Sequence, residues 1–143
     1  MNVGRYLAAV IAVWLVRGLF GFLFWGNYMA EQHAAASAAW SGAFREVVPA
    51  YIAADLLFAL VFVWLWVKVG AAFGSDTKGG ALYGLVIGLL AAVIGIYYFF
   101  SVTYISTTMW ATEIVATLVL HVLIGVVAAL VYKATPARTV TAA

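Results

Sequence analysis

Four stretches of this chain, Tyr6–Tyr28, Tyr51–Ala71, Ala81–Val102 and Trp110–Tyr132, are apolar almost without interruption. Each is long enough, at about 20 helical residues, to cross the hydrocarbon core of a bilayer. A backbone in lipid must satisfy its own hydrogen bonds, and four spans are too few to close a barrel, so the spans are expected to be helices. Composition points the same way. The chain is 68% hydrophobic and 8% charged, where a soluble domain carries about 25% charged residues. So few charges could not cover its surface in water. The expected fold is an all-α integral membrane protein, a four-transmembrane-helix bundle forming a single domain over residues 1–143.

The connections orient the bundle. Arg5, Lys68, Lys78, Lys133 and Arg138 fall on one side, and only Arg45 on the other. Excess Lys and Arg mark the cytoplasmic face, so both termini and the middle loop are expected inside a cell membrane, of the bacterial inner-membrane type. Aromatic residues near the span ends suggest two interfacial belts: Trp25, Tyr28, Tyr51, Tyr104 and Trp110 outside, and Tyr6, Trp64, Trp66 and Tyr132 inside. The first span resembles a signal peptide in its short cationic start. Its small-residue stretch falls well past the apolar run, however, and Arg17 interrupts the run, so a retained helix is expected.

Between the first two spans, Glu31–Val48 is alanine-rich, with Trp40, Phe44 and Val48 at helical spacing. This segment is expected to be a short extracytoplasmic surface helix, or a cap over the outer mouth, with Pro49 ending it or opening the second span. The tail 134–143 is polar and expected to be flexible.

Small residues set the packing expectations. Gly80, Gly84, Gly88 and Ala92 recur every four residues in the third span, a pattern that lets a second helix approach closely. The fourth span carries Glu113, Thr117, His121, Gly125 and Ala129 at the same spacing. A weak likeness between the two hairpins, each with an early acid (Asp55 or Glu113), hints at a repeat about an axis along the membrane normal.

The ionisable residues inside the spans carry the functional argument. Arg17 sits about 12 Å below Trp25 by helical rise, Asp55 about 6 Å below Tyr51, and Glu113 and His121 about 5 and 16 Å below Trp110. A guanidinium left in lipid costs at least about 2.5–3.5 kcal/mol, so Arg17 is expected to turn inward toward Asp55, Glu113 or both. Helical side chains lean toward their N-terminus, which aims Arg17 away from the acids and counts against a simple bridge to Asp55. A tilt between helices or a wet pocket would close the gap.

Arg17, Asp55, Glu113, Thr117 and His121 are therefore the candidate polar cluster. It is either a device that fixes helix register or a site for an ion, a proton or a small anionic group. His121 could also ligate haem iron or a chlorophyll magnesium, with Gly125 and Ala129 clearing space for a flat macrocycle. No other cofactor is indicated.

Absent motifs narrow the remaining classes. There is no cysteine, which excludes thiolate nucleophiles, thiolate metal sites and disulfides. GSDTKGG (74–80) lacks the phosphate-loop spacing and reads as an ordinary turn, and neither HExxH nor GxSxG occurs. A net charge of +2 with no basic stripe argues against a nucleic-acid partner. The leading expectation is a non-enzymatic accessory or assembly subunit in the lipid bilayer, packing as a homo-oligomer or within a larger membrane complex. An oligomeric transporter or channel comes second and a haem- or chlorophyll-binding subunit third. Acid–base chemistry on a lipid is the remaining possibility, with no nucleophile to back it.

Overall fold

A computed structural model describes residues 1–39, 48–101 and 106–133. The described residues are helical: α1 (Val3–Leu23) runs into a π-helical turn (Phe24–Tyr28), followed by α2 (Ala30–Ala39), α3 (Val48–Phe73), α4 (Thr77–Ser101) and α5 (Thr107–Val131). Four segments, Val3–Tyr28, Val48–Phe73, Thr77–Ser101 and Thr107–Val131, are long and apolar enough to cross a membrane. They coincide with the expected spans, and each begins three or four residues earlier than expected.

Local chemistry sets the helix boundaries. The Asn2 side chain accepts from the Arg5 N–H at 3.0 Å and Ser106 from the Met109 N–H at 3.2 Å, each satisfying a donor that a helix start leaves without a partner. Asp76 does the same for α4, accepting from the Gly79 N–H at 2.8 Å. Pro49 occupies the first turn of α3, where its missing N–H costs nothing. Gly74 takes φ +103 in the sharp turn between α3 and α4, a conformation that suits a residue without Cβ.

α1 packs against α3 and α5, and α4 against α3 and α5, so the four long helices form an up-and-down ring. The end with the α3–α4 turn is here the near end. The core lies in its half of the bundle: Ala9, Val10 and Val13 from α1, Ala59, Phe62, Val63 and Trp66 from α3, Tyr83 from α4, and Leu120 and Ile124 from α5. Toward the far end the packing thins. Seven consecutive residues of α3, Val48–Ala54, are exposed. That is about two turns, so among the described residues nothing covers any face of the helix there. A small cluster of Met29 and Met109, with Ala36 of α2 packed on it, closes the α1–α5 side of that end.

Several expectations change. Of the expected helix after the first span, the described part is Ala30–Ala39, residues 40–47 lie outside the described residues, and Val48 belongs to α3. Trp40, Phe44, Arg45, Thr103, Tyr104, Arg138 and the tail 134–143 lie outside the described residues. Trp66 and Tyr132 are not a belt: both are buried, and the Trp66 indole donates to the Tyr132 carbonyl at 2.7 Å. That carbonyl follows the last turn of α5 and would otherwise lack an intrahelical donor.

Candidate functional site

The glycine row of α4 meets α5 within the same chain. A Cβ added at Gly80 would run into the Gly125 carbonyl, one at Gly84 into the His121 carbonyl, and one at Gly88 onto the His121 Cβ. Ala92 continues the row and is buried. Gly125 is equally constrained, because a Cβ there would strike the Gly80 carbonyl. The two backbones therefore touch along the seam, the geometry that small residues permit in lipid, where apolar side chains gain little by leaving neighbouring chains.

Arg17 meets Asp55 across the α1–α3 seam. Its Nη2 lies 2.6 Å and its Nε 3.2 Å from the same carboxylate oxygen, Oδ1. The guanidinium also lies over the Phe58 ring, 4.1 Å from the centroid, a cation–π contact. It thus spans one turn of α3, from Asp55 to Phe58. The backward lean of the arginine does not prevent the bridge, contrary to expectation. Nε, the donor nearest the backbone, takes part, so the side chain need not extend fully. Aromatic span ends were also a poor ruler, because Trp25 sits in the π-helical turn and Tyr51 in the uncovered part of α3. The pair is not sealed inside the bundle: 17% of the Arg17 side chain and 36% of the Asp55 side chain remain exposed. Tyr6 completes the seam, donating to the Leu60 carbonyl at 3.0 Å.

Glu113 belongs to a different site. Trp25 Nε1 donates to its Oε2 at 2.6 Å, and His33 Nε2 lies 2.8 Å from its Oε1. The π-helical turn presents Trp25 to α5. In that turn the Met29 N–H reaches back to Phe24 O at 2.8 Å, and the Asn27 amide donates to the Phe22 carbonyl at 2.6 Å. His33 ties α2 down to the bundle from outside. Sequence reading placed Trp25 in a belt and gave His33 no part, and no spacing signal links either of them to Glu113.

His121 stands apart from both sites. Its Nδ1 donates to the Thr117 carbonyl at 2.7 Å, so Thr117 contributes its backbone. Since a carbonyl only accepts, Nδ1 carries the hydrogen. Nε2 is buried and has no partner among the described residues. The ring packs edge-on against Phe58 and Phe62, with centroids 5.4 and 6.5 Å away. Phe58 therefore separates His121 from Arg17. The space that Gly125 and Ala129 were expected to clear for a macrocycle is filled by the α4 backbone at Gly80 and Gly84.

The five polar candidates are thus not one cluster. Arg17 and Asp55 form a pair, Glu113 joins Trp25 and His33, and His121 with the Thr117 carbonyl sits behind Phe58. Among the described residues, no three His, Asp or Glu side chains converge as metal ligands would. A groove of about 570 Å³ between α1 and α5, lined in part by Phe20, Phe24, Tyr28, Val115 and Val119, has no charged side chain in its wall. No family model, curated protein or solved structure matches the chain.

Proposed function

We propose that this is a small integral membrane protein whose four long helices span the bilayer and whose role is to pack, as an accessory or assembly subunit, against other membrane helices. The observation that carries the reading is the half-open Arg17–Asp55 pair beside the uncovered start of α3. In hydrocarbon such a pair is costly unless something covers it, and membrane helices gain from contacts that satisfy polar groups. The carboxylates are already engaged, Asp55 by Arg17 and Glu113 by Trp25 and His33, which supports a non-enzymatic role. On this reading the near end faces the cytoplasm, following the cationic bias, and α2 lies at the outer surface of a cell membrane.

An oligomeric transporter or channel for an ion or small anion is the second reading. The exposed carboxylate of Asp55 favours it. Against it, Phe58 and the packed α4–α5 seam interrupt any polar path from Arg17 to His121 within one protomer. The test is retrieval of the tagged full chain from its native membrane in mild detergent, with its mass measured by light scattering. The packing role expects a stable oligomer or a larger assembly. A lone monomer, with ion flux in reconstituted vesicles lost on Arg17→Leu, would replace it with the transport reading.

A further inference from the structure

We infer that the open α1–α3 seam is covered by a second copy of this chain, related by a two-fold axis parallel to the helices, so that each Arg17–Asp55 pair lies against the other's. The inference rests on the packing role proposed above and names its partner.

The argument starts from the groups left over in the pair. Both arginine contacts end on one oxygen, Oδ1. A carboxylate can accept at both oxygens and a guanidinium offers five N–H donors. Among the described residues, nothing bonds the other Asp55 oxygen or the remaining Arg17 nitrogen, Nη1, and the side chains stay 36% and 17% exposed. The surface thus presents a cation and an anion side by side, each with unused capacity.

Such a surface is complementary to itself. Rotation by half a turn about an axis just outside the seam brings Arg17 opposite the partner's Asp55, and Asp55 opposite the partner's Arg17. An axis along the membrane normal keeps both pairs at one depth and both copies in one orientation. Isologous contacts of this kind are the commonest in oligomers. An unrelated partner would need its own acid and base at matching depth, whereas a second copy has them by construction. Charge on both sides also penalises every other register, the best-attested use of a buried ionic group.

The surroundings leave room for the approach. Gly18, next to Arg17, is exposed, and a Cβ there would meet nothing within 4 Å. α3 is uncovered over Val48–Ala54, immediately before Asp55. The glycines of α4 and α5, by contrast, are consumed within the chain.

The chain has no cysteine, so single-cysteine variants of the full protein report contacts without background. Gly18→Cys and Ala54→Cys, oxidised in native membranes, are expected to give a disulfide-linked dimer. Its yield should exceed that of Leu90→Cys, exposed on α4, by at least about tenfold. Charge exchange tests pairing between copies. R17D and D55R, each in the Gly18→Cys background, are expected to lose the dimer alone. They are expected to regain it when differently tagged copies are produced together, because an acid-only copy then faces a base-only one. Should either charge variant fail to accumulate, the cysteine series with native charges still decides the matter.

Equal cross-linking at Leu90→Cys, or no dimer at either seam position, overturns the inference. A photoreactive residue at position 18 then separates its failure from that of the packing role. Adducts only to a different protein refute the second copy and leave the packing role standing, while no adduct together with a monomeric mass refutes both.

Discussion

Along the α4–α5 seam two backbones meet where side chains would otherwise be, while along the α1–α3 seam the contact is a charge pair, an aromatic ring and a hydroxyl. The first seam leaves no room: at Gly80, Gly84, Gly88 and Gly125 the facing helix occupies the space a side chain would need. At the second, Asp55 stays partly exposed and Arg17 keeps unused donors. Dispersion between close backbones needs many atoms at short range and tolerates no added volume. An ion pair acts over a longer distance and tolerates a gap, but it demands that its surroundings be completed. One seam therefore holds the protomer together, and the other is suited to be finished by a neighbour.

The largest expected effect breaks the first seam. Gly84→Leu places a branched side chain against the His121 carbonyl and the Val122 Cα, and because the Cβ itself meets this backbone no rotamer escapes. Overpacking a well-fitted site costs about 1–3 kcal/mol or more, and here the obstacle is main chain. Gly84→Leu is expected to lose most of its folded yield, and Gly84→Ala to melt clearly below the native protein, as followed by circular dichroism in detergent. A melting curve unchanged by Gly84→Ala would show that the helices are not in backbone contact.

The second seam should respond differently to single and double changes. Asp55→Leu leaves Arg17 without its carboxylate, and removing one partner of a buried pair costs about 3–5 kcal/mol. Arg17→Leu with Asp55→Leu together should recover most of the loss, because two apolar side chains replace a pair that contributes little net stability. A double variant as unstable as the sum of the singles would show that the pair is not coupled.

A smaller and more local effect is expected where α2 is tied down. His33→Ala removes one hydrogen bond to Glu113, worth about 0.5–1.5 kcal/mol, and leaves Trp25 in place. Amide exchange in α2 should quicken severalfold while the core amides of α3 and α5 stay protected, as measured by hydrogen–deuterium exchange. Uniform loss of protection would instead make the His33 contact part of the global fold.

The two seams were not equally legible in the sequence. Four-residue spacing of glycine on α4 pointed directly to a close helix contact, because absence of a side chain has one main use inside an apolar span. The corresponding row on α5 was only half informative. A step of four residues turns about 40° beyond a full circle, so Glu113 and Gly125 end about 120° apart. Gly125 faces α4, whereas Glu113 faces Trp25 and His33. Their shared spacing concealed different neighbours.

Arg17 pointed to a carboxylate, and Asp55 supplies it. Nothing in the spacing revealed Phe58 as the wall between Arg17 and His121, since an aromatic residue in an apolar helix looks the same whether it faces a cation, a core or lipid. Trp66 illustrates the same ambiguity: its place near a span end suggested a belt, yet it is fully buried.

The smallest expected effect compares glycine with glycine. Gly18 is helical and exposed, with open space where its Cβ would be. Alanine is favoured over glycine in a helix interior by about 0.8–1.0 kcal/mol, an aqueous value that sets an upper scale here. Within one protomer, Gly18→Ala should therefore be neutral or slightly stabilising. The same methyl at Gly88 meets the His121 side chain and should destabilise. Melting temperatures of the two variants, measured side by side in detergent that keeps the protein monomeric, should move in opposite directions or differ clearly in size. If both fell equally, Gly18 would be packed within the protomer, and the α1–α3 seam would be as closed as its counterpart.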